Sequence, residues 1–153
     1  MARAENIKVV QRNRRAFFDY EILERVEAGL VLKGSEVKSI RDGRVSIREA
    51  YGKIRDGEAW VVGMEISAYP QAGPYNNHEP RRPRKLLLHR REIRRLGGKV
   101  QERGLTLIPL SLYFKGGRAK LEMGLGRGRS KYDKRRAIQD REARREIRRR
   151  MMR

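Results

Sequence analysis

The chain has 153 residues, with 39 Lys and Arg against 19 Asp and Glu, a net charge of +20 and no cysteine. That length allows one domain with one modest core and a tail, and the lack of cysteine excludes a disulfide framework or a thiolate metal site. No apolar run is long enough for a membrane span or a secretion signal, so the expected compartment is the cytoplasm and the expected partner a polyanion.

Taken in order, Ile7–Val10 reads as a first or edge strand. In the following NRRAFFDY, Asn13 is placed to cap one helical turn, and Phe17 and Phe18 to cover one end of a core. Tyr20–Leu32 alternates as a long strand, with Ile22, Val26 and Leu30 on one face and Gly29 marking a bend or bulge. GSEVKSIRDG reads as a short helix starting at Ser35 and stopping at Gly43. From Ser46 the period becomes two, and Asp56-Gly57 between two alternating runs predicts a hairpin. Tyr69–Arg84 holds four of the five prolines and is expected to be a surface excursion. LLLHRREIRRLGGKVQERG reads as a short buried run entering a helix that Gly97-Gly98 weakens or breaks. A second hairpin is expected about Gly116-Gly117. Roughly six short strands and two or three short helices make a mainly β fold. An antiparallel barrel is favoured because it leaves no open edges, with an open sheet carrying helices on one face as the runner-up.

The final stretch is of another kind. From Arg127 onward thirteen Lys and Arg face four Asp and Glu, a net of +9, which leaves +11 on residues 1–126. The division expected is a body, 1–126, and a basic tail, 127–153, with GLGRG (Gly124–Gly128) as a flexible joint. Read as a helix from about Arg136, the tail's apolar positions Ala143, Ile147 and Met151 form a stripe too narrow to dock on a core. Like charges such as Arg144 and Arg148 oppose the pairs that Glu142 and Glu146 make, so alone it is expected to be unfolded and to order on a polyanion.

Catalysis finds little support. The chain has two histidines, His78 and His89, read as solvated or capping residues, and no HExxH, GxSxG, P-loop or acidic cluster of metal-ligand type. No enzyme activity, cofactor, metal or small-molecule substrate is therefore expected. Binding fares better: RRPRKLLLHRR suggests a phosphate stripe of Arg81, Arg82, Arg84 and Lys85 anchored by leucines. Tyr113 and Tyr132 are candidate stacking residues, whereas Trp60 and Phe114, lying in strands, are assigned to the core. Glu27 either pairs with a neighbouring Arg or accepts from a base amino group.

Five segments in order, NRRAFFDY (13–20), EAGLVLKGSEVKSIRDGRVSI (27–47), NHEPRRPRKLLLHRREI (77–93), GLTLIPLSLYFKGGRAKLEMGLGRG (104–128) and YDKR (132–135), resemble the SsrA-binding (small protein B) family. The resemblance implies an oligonucleotide-binding-type antiparallel barrel. It also implies a non-enzymatic role, binding the tRNA-like domain of transfer-messenger RNA and bringing it to stalled ribosomes for trans-translation. By the matching motifs, Asn13, Arg14, Glu27, Gly29, Lys33, Glu36, Lys38, Arg84, Lys85, Leu87 and His89 would form the RNA-binding face. Tyr132, Asp133, Lys134 and Arg135 would sit at the decoding centre of the 16S rRNA. Arg136, Arg144, Arg145, Arg148 and Arg149 would follow the empty messenger channel. Departures are small: Arg127, Arg129 and Ser130 replace part of a Lys-richer junction, Gly126 stands where Ala is commoner, and Tyr132 where some members have His. The alternative reading is a structural ribosomal protein with an rRNA-threading tail. A membrane-surface arm is disfavoured, because the tail's apolar stripe has no Trp, Phe or Leu.

Overall fold

The computed structural model describes residues 6–129 and 131–151. Strand β1 (Ile7–Arg12) leads into helix α1 (Arg14–Asp19) and the long strand β2 (Tyr20–Leu30). Helix α2 (Gly34–Arg41) follows, then β3 (Val45–Ser46), the hairpin of β4 (Tyr51–Arg55) and β5 (Glu58–Val62), and β6 (Glu65–Ile66) paired with β3. A loop with one 3-10 turn at Pro70–Ala72 reaches β7 (Arg84–Leu87) and α3 (Arg90–Arg103). The hairpin of β8 (Thr106–Lys115) and β9 (Arg118–Gly128) then gives way to α4 (Lys131–Met151).

Six strands close a ring in the order β8-β4-β5-β7-β2-β9, with β9 returning to β8 and β1 added outside on β8. Every pairing is antiparallel, so the expected barrel is what forms. Both predicted hairpins turn through residues of positive φ, Asp56 (52°) with Gly57 (75°) and Gly116 (57°) with Gly117 (77°), which matches the twist of the flanking strands. Strand alternation sends Ala28, Val61, Leu86, Leu107, Leu112, Leu121 and Met123 inward, and α3 closes one end by burying Leu96.

Several local expectations give way. The bulge in β2 falls between Ile22 and Glu24, while Gly29 stays in register with Leu87 and Lys120. There a Cβ would lie 3.2 Å from that of Leu87, so closeness rather than bending selects glycine. GLGRG is not a joint but the end of β9: a Cβ at Gly124 would meet Leu110 at 2.8 Å and one at Gly126 would meet Ile108 at 2.9 Å. Helix α3 runs unbroken through Gly97-Gly98, because Ile93, Leu96 and Val100 anchor one face, and it stops at Gly104 in the left-handed region. Asn13 occupies the N-cap of α1 but does not cap it. Its side chain donates to the Pro109 carbonyl at 3.0 Å, pinning the corner to β8. The cap of α2 is Lys33, whose N–H donates to Glu36 Oε1 at 2.8 Å, and Ser35 is buried instead.

The tail helix starts at Lys131, ahead of the expected Arg136, beside α1. Arg135 and every residue from Ile138 to Met151 are exposed, as the narrow apolar stripe requires, and Arg150 pairs with Glu146 at 3.7 Å.

The two kinds of glycine should respond oppositely in urea unfolding. Gly98→Ala, with nothing within 4 Å of the new Cβ, should stabilise the protein by about 0.5–1 kcal/mol. Gly124→Ala, forced against Leu110, should cost about 1–3 kcal/mol.

Candidate nucleic-acid interface

The alternation of β7 decides which of its residues a ligand meets. Arg84 and Leu86 point into the barrel, Lys85 and Leu87 outward. Arg84 and Glu36 are both 0% exposed, and Arg84 Nε donates to Glu36 Oε2 at 2.6 Å. The remaining guanidinium nitrogens reach the carbonyls of Met64 (2.5 Å) and Pro80 (3.0 Å). Arg82 and the Lys33 N–H share the other Glu36 oxygen. Burial pushes the Glu36 carboxyl up, but hydrogen bonds from Arg82, the Lys33 N–H and Arg84 outweigh it and hold the group below the usual carboxylate range.

The expected phosphate stripe is corrected at Arg84, which is buried with Glu36 inside the barrel, while Arg82 is engaged with Glu36. Arg81 and Lys85 stay at the surface, in exposed pairs with Glu65 at 3.2 Å and Glu58 at 3.1 Å. Asn13, like Arg84 and Glu36, is interior, at 5% exposure. These residues position their neighbours: the Glu36–Arg84 pair locks α2, and with it Lys33, to the strand that presents Lys85 and Leu87.

The other expected residues reach the surface. Lys120, Gly29 and Leu87 stand side by side across β9, β2 and β7, and Leu87 is 54% exposed, a costly placement for a leucine. His89, at the N-cap of α3, is exposed two residues further on. Among the described residues Glu27 does not pair with an Arg. It accepts from the Tyr113 hydroxyl and, at 3.4 Å, from Lys115. The Tyr113 hydrogen bond, against burial and with help from Lys115, holds the Glu27 carboxyl low, while burial and Glu27 push the Tyr113 phenol well above its ordinary value. Glu27 and Arg14 line one cavity of about 570 Å³ together with Arg12, Arg25, Phe17 and Tyr113. The Arg25 guanidinium lies 5.1 Å from the Phe17 ring centroid. Lys33 and Lys38 are exposed on α2, Lys38 over the ring of Tyr69 at 5.7 Å.

On α4, Arg135, Arg144, Arg145, Arg148 and Arg149 are exposed, and the side chains of Tyr132, Asp133, Lys134 and Arg136 lie outside the described residues.

The sequence missed three features. His78 is not solvated: it is buried, its Nε2 donating to the Ile66 carbonyl at 2.8 Å while Nδ1 accepts from the Ser35 hydroxyl at 2.8 Å, which ties the Pro-rich loop to α2 and β6. Trp60 is not core: in β5 Ala59 and Val61 take the interior and Trp60 faces out, whereas Phe114 is buried as expected. Arg12, Arg14, Arg15 and Arg48 line a second cavity, of about 360 Å³.

A closed antiparallel barrel with cations and exposed apolar side chains on its outer wall, continued by an arginine-rich helix whose described side chains are exposed, defines a nucleic-acid-binding protein of the barrel class. The family model described as SmpB protein matches residues 10–153. An SsrA-binding protein of Carboxydothermus hydrogenoformans is 56% identical over 140 residues, covering 92% of this chain and 93% of its own. One of Roseiflexus sp. (strain RS-1) is 57% identical over 150 residues, 97% and 95% of the two chains. A solved structure described as "tmRNA-SmpB: a journey to the center of the bacterial ribosome" is similar with a TM-score of 0.66 and 48% identity, over 84% of this chain and 93% of that one. The chain belongs to the SmpB protein family.

Because the Glu36 carboxyl is held low in the folded state, the stability it confers is complete above the usual carboxylate range and is lost as pH falls through its folded value. Glu36→Gln, which leaves Arg84 charged and buried, should cost about 3–5 kcal/mol in urea unfolding and weaken the acid dependence of the melting temperature. Glu65→Gln, which breaks the exposed pair with Arg81, should stay within about 1 kcal/mol of the parent.

Proposed function

We propose that this chain binds the tRNA-like domain of transfer-messenger RNA with its barrel and carries it to ribosomes stalled without a stop codon, for trans-translation. The observation that carries the reading is the division of the molecule. A folded body sets Arg14, at the start of α1, and Glu27, Lys85 and Leu87, on the barrel strands, toward its surface, and α4 exposes its described arginines. Family membership and the names of the relatives supply the RNA.

In this reading Arg14, Glu27, Lys33, Lys38, Lys85, Leu87 and His89 meet RNA, with Asn13, Gly29, Glu36 and Arg84 holding them in place. Structured RNA is read by shape and by bases splayed from loops. A rigid wall with one carboxylate acceptor, Glu27, and an apolar contact, Leu87, suits that better than a uniform cationic stripe would. The residues from Lys131 form the second unit. Tyr132, Asp133, Lys134 and Arg135 lie at the decoding centre, and Arg136, Arg144, Arg145, Arg148 and Arg149 run along 16S rRNA in the vacant messenger channel. Counterion release supplies the affinity there, so a helix needing no apolar partner suffices. The protein works as a binding module, without catalysis, in the cytoplasm on the ribosome.

Substituting Tyr132→Ala together with Asp133→Ala should leave binding to the isolated RNA nearly unchanged and abolish peptide tagging on stalled ribosomes in a reconstituted translation system. Leu87→Ala and Glu27→Ala should instead weaken binding to the isolated RNA in a filter assay. Equal losses in both assays for either set would reject the division of labour. If the barrel and tail together neutralise six to ten phosphates, overall affinity should fall by about 10³–10⁵ between roughly 50 and 200 mM salt.

A further inference from the structure

The outer wall of the barrel continues past Lys85 in a direction that none of the residues assigned above covers. Lys53 on β4 pairs in register with Trp60 on β5, and Trp60 with Lys85 on β7. Directly paired residues on antiparallel strands share a face, so Lys53, Trp60 and Lys85 form one outward row, with the indole between two ammonium groups on strands about 10 Å apart. Val31, exposed beyond β2, extends the row, its N–H bonded to the Lys85 carbonyl at 3.1 Å. In the next row Val62 is paired with the exposed Tyr51. Trp60, Val62 and Pro83 floor a cavity of about 450 Å³ whose rim includes Lys53 and Arg55.

The acids here leave one of these cations free. Glu58 is bonded to Lys85 and Asp56 lies 3.9 Å from Arg55, while Lys53 has no acidic partner among the described residues. A half-buried aromatic ring on the outer wall, lining a cavity with a free cation in register beside it, matches what a strand of unpaired nucleotides needs: a π-face for a base and a cation for its phosphate. The tail of this chain is an unsuitable occupant, since its arginines would face Lys53, Arg55 and Lys85. We infer that Trp60 is a stacking platform for an unpaired RNA base, with Lys53 holding the adjoining phosphate. The inference rests on the RNA-binding reading and adds a subsite to it: single-stranded RNA, reached along the wall from Leu87.

Trp60 is the only tryptophan in the chain, so its fluorescence reports the site in the intact protein. The full-length protein, excited at the red edge of the indole band, is titrated with a short single-stranded oligoadenylate and with an abasic strand of the same length and charge. A saturable quench by the base-bearing strand and little by the abasic one is expected. Trp60→Phe should retain most of the affinity. Trp60→Ala should lose roughly 5- to 150-fold, the equivalent of one lost base–aromatic stack, with an unchanged circular dichroism melt. Equal quenching by the abasic strand, binding that leaves the fluorescence unmoved, or no binding of the base-bearing strand would each overturn the inference. So would loss of ribosome association in Trp60→Ala with RNA affinity intact, which would mark the wall as a protein-docking surface. Transfer-messenger RNA binding with tryptophan emission undisturbed would remove this subsite alone and leave the proposed function standing.

Discussion

The pair on which the rest of the molecule depends is Glu36 with Arg84. Two opposite charges, both fully buried, could be replaced by apolar side chains at little cost to stability, since desolvation consumes most of their attraction. What the pair supplies is registration. One guanidinium joins α2, the carbonyl before β6 and the end of the Pro-rich loop to β7. The carboxylate on α2 accepts from Arg84 in that strand, from Arg82 just before it and from the N–H of Lys33 at the helix's own N-cap. Slipping β7 by one residue would expose Arg84 and bury Lys85 and Leu87, so a charge that must find this carboxylate forbids the slip. The outer wall is set by an interaction buried beneath it.

That constraint explains which parts of the structure the sequence made legible. Barrel closure was readable because it rests on local signals: Asp56-Gly57 and Gly116-Gly117 specify their hairpins, and the long alternating runs pair across them. The facing of individual polar residues was not. In RKLL the alternation was present, with Leu86 inward, and applied strictly it places Arg84 inward too. An arginine in a basic run reads as solvated only because the buried carboxylate that satisfies it lies 48 residues away. EAWVV carries the same lesson reversed: Ala59 and Val61 fill the interior, and the largest side chain in the strand is the one left outside. His78 was misread for the reason that hid Arg84, its partners Ser35 and Ile66 being brought to it by the fold rather than by proximity in the chain.

Glycine was the other source of error. The run ending at Gly128 suggested slack between head and tail, yet Gly124 and Gly126 are required because Leu110, Ile108 and Tyr20 crowd the strand. The barrel therefore stays rigid to within a few residues of α4. Between Gly128, where pairing with Tyr20 ends, and Lys131, where α4 begins, there is little chain to absorb a change of direction. The backbone N–H of Arg129 is itself tied to the Asp19 carbonyl at 2.9 Å. The body is thus ordered as far as Arg129, and α4 starts from Lys131 beside α1.

A short connection matters for a helix whose charges repel one another. Like-charged arginines four apart cost a few tenths of a kcal/mol each, and the helix gains no compensating burial, since its described side chains from Ile138 onward are exposed. Its helicity is thus the property most sensitive to an external polyanion, and phosphates arranged along a channel favour the helical form by relieving that repulsion. Because the barrel fixes where the arm starts, the polyanion that orders it must lie at a set position relative to the RNA on the wall. Two individually modest recognitions, one by shape on a rigid surface and one by charge on a responsive helix, become a single selective event when geometry lets both be satisfied together.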